Sequence, residues 1–186
     1  VAGTEPTFVQ MMNSYAKQLG LTGSHFTNAA GMPDPEHYMT ARDAATLADA
    51  VIREYPDYYR WYSEKEFTWN GITQSNRNGL LWRDSTVDGM KTGFTDTAGY
   101  CLVSSALRDD MRLVAVVLGT DSPAARERES QTLLNYGYRI TAVGAQRVRP
   151  AVRWRQHDTR DRLRHQRRTV PRAGLREPEW DPHQLR

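Results

Sequence analysis

Cysteine is almost absent: the 186-residue sequence holds one, Cys101, so no internal disulfide can form. That suits a reducing compartment, and equally an exported bacterial protein that never relied on disulfides. No stretch approaches the ~20 consecutive apolar residues of a membrane span, and the N-terminus lacks the basic, apolar, small-residue layout of a secretory signal. No Cys/His cluster has zinc spacing and no glycine-rich loop suits a phosphate, so neither a metal nor an organic cofactor is expected. The five histidines show no useful spacing to a carboxylate and a serine. Two further absences matter below. No Ser-x-Asn triplet occurs, and residues 140–186 contain no lysine.

What is there is ordinary for a globular protein over most of its length, with 39% hydrophobic and 25% charged residues. The charge is split unevenly. Residues 1–139 hold 13 basic and 17 acidic residues, whereas residues 140–186 hold 12 basic residues, all arginine, and 5 acidic ones. The split predicts one packed domain over 1–139 and an Arg-rich tail over 140–186 with no packed core of its own.

Periodicity places the elements. Phe8, Met11, Met12, Tyr15 and Leu19 recur at helical spacing and Gly20 is placed to stop that helix. A second helix opens at Thr40, with Asp43 three residues on in a variant of the capping box. It presents Ala44, Leu47, Ala48, Val51 and Ile52 and ends before Pro56. Residues 57–83 read as short strands and turns. A strand over 87–92, with Lys91-Thr92 at its end, is followed by a hairpin of 99–107 and 111–119 turning at Arg108-Asp109-Asp110. Leu113 to Leu118 reads as a buried run. Ser122-Pro123 opens a helix that reaches Tyr136-Gly137 and packs through Leu133 and Leu134. Short connections make the three strands antiparallel neighbours in that order.

Lys91-Thr92-Gly93 is a weak motif alone, but its setting is specific. It follows Val87-Asp88-Gly89-Met90 and precedes Phe94-Thr95-Asp96-Thr97-Ala98-Gly99-Tyr100. The tripeptide joins Ser-x-x-Lys and a Ser-Asp-Asn-type segment in penicillin-recognising enzymes. With Met12-Asn13, Leu19-Gly20-Leu21, Thr40-Ala41-Arg42-Asp43, Asn76-Arg77-Asn78-Gly79-Leu80-Leu81-Trp82 and Arg112-Leu113, the chain resembles the low-molecular-mass D-alanyl-D-alanine carboxypeptidases, the S11 peptidases, over about residues 6–139.

The resemblance implies an α/β (α+β) fold, an incomplete antiparallel sheet with helices on both faces. It implies acyl transfer, in which a serine attacks the D-Ala-D-Ala amide of the peptidoglycan stem peptide and water hydrolyses the acyl-enzyme. It implies β-lactams as ligands of the intact family, no metal, and a place outside the cytoplasm. By the same resemblance Lys91 supplies positive charge and helps the proton relay. Thr92, with Gly93 beside it, binds the substrate carboxylate, and the Phe94 N–H is one oxyanion donor. Arg126 anchors the carboxylate and Arg77 lies near the cleft, both facing the groove that Lys91 borders.

Plainer readings stand beside these. Lys91 reads equally as an exposed strand-end lysine, and Arg126, in the first turn of a helix, as a solvated arginine. Gly89 and Gly93 permit unusual backbone angles or close approach. Cys101 reads as a buried small hydrophobe.

The family's serine and its middle Ser-x-Asn motif precede the region matched here. Ser14-Tyr15-Ala16-Lys17 has the right spacing but falls where the family is past that motif, so it reads as a decoy. The expectation is a chain that begins inside a longer protein, its nucleophile upstream of Val1. The alternative is a non-catalytic module that binds D-Ala-D-Ala peptides. The tail reads as translation in a shifted frame of GC-rich DNA. Its rival is a basic arm for nucleic acid or anionic lipid, a reading that Asp158, Asp161, Glu177, Glu179 and Asp181 dilute.

Overall fold

The computed structural model describes residues 2–145. The expectations for the remainder of the Arg-rich tail lie outside those residues.

Helix α1 (Glu5–Gln18) opens on Thr4, whose hydroxyl accepts from the Thr7 N–H, and the chain turns off at Gly20 with φ +75°. Its apolar stripe is not a core face. Phe8, Met11 and Tyr15 are exposed and only Ala16 is buried, because among the described residues nothing covers that side. What docks the helix is polar: the Asn13 amide donates to Phe26 O at 2.7 Å and accepts from Phe26 N at 2.9 Å. Strands β1 (Ser24–His25) and β2 (Tyr38–Met39) form a small antiparallel pair.

Helix α2 (Ala41–Glu54) is capped by the Thr40 hydroxyl, which accepts from Asp43 N at 3.2 Å. The capping box does not close, however. The buried Asp43 carboxylate instead accepts from Gly23 N (2.8 Å) and Ser24 Oγ (2.6 Å), tying the preceding loop to the helix start.

Residues 56–63 are helical, as α3 (Pro56–Tyr59) and a 3-10 turn (Arg60–Ser63). The strands expected in this region reduce to one hairpin, β3 (Glu66–Trp69) and β4 (Ile72–Ser75), turning at Asn70-Gly71 with both φ positive. A short helix α4 (Leu80–Arg83) follows.

Three strands make the main sheet, β5 (Val87–Thr95), β6 (Gly99–Arg108) and β7 (Met111–Thr120), antiparallel in the order β5-β6-β7. Strand β5 runs three residues beyond the expected end, so Lys91-Thr92-Gly93 lies inside the strand. The β6–β7 turn is two residues, Asp109 and Asp110, at φ 46° and 62°, the mirror-image turn that matches strand twist. Of the run Leu113 to Leu118 only Ala115 and Val117 are buried, because β7 is an edge strand and Leu118 faces solvent.

Helix α5 (Pro123–Ala145) is capped by Ser122, whose Oγ accepts from Ala125 N at 3.1 Å. It passes the expected end at Tyr136-Gly137. Gly137 is there for close approach, since a Cβ would stand 2.8 Å from Leu113 Cδ1. The helix packs through Leu134 (1% exposed), while Leu133 (47%) points to solvent. Leu134 joins Leu80, Leu81, Val87, Leu102, Ala106 and Ala115 in the core on one sheet face. Ala48 of α2, Tyr59 and Met90 form the core on the other face.

Candidate functional site

Cross-strand partners share a sheet face, so the register sorts the motif. Lys91 lies opposite Val103, which packs on the Ala48–Tyr59–Met90 side. Thr92 lies opposite Leu102, in the core under α5. The exposed Lys91 Nζ donates to Thr92 O. Gly93 has neither a positive φ nor a close neighbour, for its missing Cβ would sit 3.7 Å from Cys101 Cβ, an ordinary contact. Gly89 is the close-approach glycine, where a Cβ would meet Tyr59 Oη at 2.6 Å. Cys101 is half-buried, its Sγ 3.5 Å from Ala98 O, and so is not a core hydrophobe.

Arg126 is 5% exposed, not solvated. Its Nη2 donates to Arg77 O at 3.1 Å and its Nη1 to Gly93 O at 3.4 Å. The guanidinium also stands 5.6 Å from the Tyr100 ring centroid. Nε is buried with no hydrogen-bond partner among the described residues. Phe94, half exposed, stacks on Tyr100 with ring centroids 4.2 Å apart. The structure thus brings the Gly93 and Arg77 carbonyls together on Arg126, with Thr92 next to Gly93 on β5. The Lys91 position opens on the opposite face of β5, so the expectation that Arg126 faces the groove bordered by Lys91 is not met, because neighbouring residues of a strand alternate faces. Arg77 contributes its carbonyl, and its own side chain is exposed.

Asn78 makes this clamp possible, and sequence reasoning assigned it no role. It is fully buried, its Nδ2 donates to Gly89 O at 3.0 Å, and its Oδ1 accepts from Leu80 N at 3.3 Å. Asn76 completes the loop, with Oδ1 accepting from Asn78 N (3.0 Å) and Nδ2 donating to Glu64 O (2.9 Å). The loop is thereby pinned to β5, which fixes where the Arg77 carbonyl points. The signal in the sequence was the pair of asparagines bracketing Arg77, a residue type that bonds nearby backbone.

Two ion-pair networks brace the strand. Arg112 on β7 reaches across β6 to Asp88, both nitrogens at 2.7 Å, and donates on the way to Ser105 Oγ at 2.7 Å. Tyr59 donates to the same carboxylate at 2.7 Å. Burial pushes the Tyr59 phenol up, and the Asp88 partnership raises Arg112 further above its usual range. Asp84 accepts from Arg108 (2.7 Å), Gln131 (2.9 Å) and Thr86. Burial raises its carboxyl, but the hydrogen bonds from Thr86, Gln131 and Arg108 outweigh that and hold it at about 2.

Chemically, the arrangement joins a desolvated guanidinium to two backbone carbonyls. It contains no activated serine. Ser104, Ser105 and Ser130 are fully buried, and Ser14 and Lys17 are both exposed on α1.

The profile of the D-alanyl-D-alanine carboxypeptidase family, peptidase family S11, matches residues 1–122. The chain is 49% identical over 138 residues to the D-alanyl-D-alanine carboxypeptidase DacD of Escherichia coli, covering 74% of this chain and 36% of that protein. It is 50% identical over 140 residues to DacA of the same organism, covering 75% and 35%. It thus spans about a third of the length of these curated relatives. Penicillin binding protein 5 of Haemophilus influenzae superposes with a TM-score of 0.72 at 48% identity, over 74% of this chain and 41% of that one. Penicillin-binding protein D2 of Listeria monocytogenes, in its ampicillin-bound form, gives 0.66 at 30%, over 70% and 55%. Sequence and fold converge, and the chain belongs to the D-alanyl-D-alanine carboxypeptidase family, peptidase family S11.

Proposed function

We propose that these residues form the carboxylate-holding wall of a serine-type D-Ala-D-Ala carboxypeptidase that trims peptidoglycan stem peptides outside the cytoplasm through an acyl-enzyme. The serine, its lysine and the Ser-x-Asn segment belong to the part of the family fold that precedes the residues matched here. This chain alone is inactive in that reading. Arg126 and Thr92 take the terminal carboxylate, Lys91 faces the side from which the nucleophile acts, and the Phe94 N–H serves the oxyanion. A β-lactam carboxylate uses the same anchor. No metal enters the scheme.

The observation that carries the reading is Arg126, a buried guanidinium held by the Gly93 and Arg77 carbonyls so that its positive charge sits beside the Lys-Thr-Gly strand. The test is binding of a peptide ending in D-Ala-D-Ala, as free acid and as C-terminal amide, followed by NMR at the Arg126 Nε–H. The acid binds and shifts that resonance, and the amide does not. Equal binding of acid and amide refutes the anchor. The non-catalytic module is the second reading. Fusing the Ser-x-x-Lys and Ser-x-Asn segment of a relative to this chain separates the two. Fluorescent penicillin labels the fusion if the wall is catalytic, and a fusion that folds yet stays unlabelled supports the binding module.

A further inference from the structure

Helix α1 is tied to the rest of the chain through the segment that follows β1, and a histidine holds that segment. Phe26 gives its backbone N–H and carbonyl to the Asn13 amide, and Ala29 N donates to the Glu5 carboxylate at 3.1 Å. Between these two ties, Thr27 N donates to His37 Nδ1 at 3.2 Å. The Asn28 Nδ2 stands 3.4 Å from the same ring nitrogen. Met32 sets the orientation of that amide: Asn28 Oδ1 accepts from Met32 N at 2.9 Å and Nδ2 donates to Met32 O at 3.0 Å. The Phe26 ring meets the imidazole edge-on, with centroids 5.7 Å apart.

His37 Nδ1 therefore faces two N–H groups, with the Thr27 hydroxyl 3.3 Å away and able to turn its proton the same way. A ring nitrogen so placed must be unprotonated, with the proton on Nε2. His25 on β1 is the opposite case. Its Nδ1 lies 2.6 Å from Glu36 O, a carbonyl, so it must carry a proton, in the neutral ring and in the imidazolium alike. The titratable groups around the latch are Glu5 on α1, His25 on β1, Asp34 and Glu36 ahead of β2, and Tyr38, whose ring lies beside His25. Among the described residues none of the carboxylates forms an ion pair with His37 that would hold an imidazolium in place.

We infer that His37 is a proton-operated latch on α1. In its neutral form it accepts from Thr27 and holds the stretch Phe26–Asn28, on which Asn13 docks the helix. Protonated, it sets an N–H against two N–H groups, the Thr27 bond is lost, and the stretch and the helix loosen together. The Thr27 N–H and the added proton compete for one lone pair, so acid opens the latch and a return to neutral pH closes it. His25 keeps its bond to Glu36 O in both states, so two histidines of one small region answer acid differently. No residue of the candidate carboxylate site takes part.

The test is an NMR titration of the full chain from about pH 8 to about pH 5, a range that spans the ordinary charge change of an imidazole. At the alkaline end the ring nitrogen shifts are expected to place the proton of His37 on Nε2 and that of His25 on Nδ1. As His37 takes up its second proton, hydrogen-exchange protection at Thr27, corrected for the pH dependence of the unfolded rate, falls about tenfold. The Asn13 side-chain amide resonances move with the same midpoint. His37→Asn supplies a carbonyl oxygen near the Nδ1 position and does not titrate, so it keeps the protection across the range. In His25→Asn and in Glu5→Gln the acid response persists. A proton on His37 Nδ1 at the alkaline end overturns the latch. So does Thr27 protection that survives protonation of His37, an Asn13 response that does not follow Thr27, or an acid response that outlasts His37→Asn. Should the asparagine variant not fold, the ring-nitrogen and exchange measurements on the unmodified chain decide by themselves.

Discussion

Replacing Asn78 by alanine tests how the clamp is built. The side chain is fully buried and makes two hydrogen bonds, to Gly89 O at 3.0 Å and from Leu80 N at 3.3 Å. Alanine removes both partners, and a buried backbone group left unsatisfied costs roughly 1–3 kcal/mol. The second bond is long, so its share lies at the low end, and the sum is about 2–4 kcal/mol. For a domain of this size that lowers the melting temperature by roughly 8–15 °C. Asn78→Asp sharpens the case. It keeps the acceptor for Leu80 N but sets a carboxylate oxygen against the Gly89 carbonyl in a buried place, so it destabilises at least as much. Thermal unfolding by circular dichroism gives the shifts, and hydrogen exchange over residues 76–81 shows whether the loop is released from β5. A loss below about 3 °C for the alanine variant, or unchanged exchange, would refute the claim that this residue pins the loop.

Acid stability reports on Asp84. Its carboxyl is held at about 2 in the fold, below the ~3.9 of an unfolded aspartate, so its contribution is complete above the unfolded value and lost as pH falls toward 2. The urea midpoint therefore drops over that window, and Asp84→Asn flattens the drop. Core position separates neighbours on α5: Leu134→Ala costs about 2–5 kcal/mol while Leu133→Ala stays within about 0.5 kcal/mol, both read from denaturant midpoints. Finally, fluorescent penicillin leaves no covalent adduct on this chain, and mass spectrometry finds Ser14 unmodified. An adduct there would overturn the dismissal of the Ser14–Lys17 pair.

The main sheet was legible because its signals are local: alternating apolar strands, a polar two-residue turn, and Ser-Pro at a helix start. Where the signals were local but the meaning tertiary, the reading missed. Gly137 looks like a helix stop and is instead a contact with Leu113. Phe8, Met11 and Tyr15 have the spacing of a core face yet stand exposed, because periodicity records what a helix is built to bury, not what is beside it. Asp43 follows a cap residue and was read as closing the box, but its carboxylate serves Gly23 and Ser24. At the candidate site, family resemblance named Thr92, Gly93 and Arg126. It said nothing of how a buried guanidinium is held, because the partners are backbone carbonyls, and every residue has one. The burial of Arg126 was hidden for the same reason, since position in a first turn does not say which way the side chain points.

The two-residue turn at Asp109 and Asp110 acts as an indexing pin. By closing the hairpin in one register it sets Arg112 opposite Leu107, the position from which Arg112 spans Ser105 to grip Asp88 two strands away. Side chains alternate faces residue by residue, so inserting a single residue in that turn would carry Arg112 to the α5 face and leave Asp88 with Tyr59 alone. The distance from a surface turn to the strand of Lys91-Thr92-Gly93 is thus one register step. A length change at the turn would take the Arg112 brace off β5 without touching any residue of the candidate site.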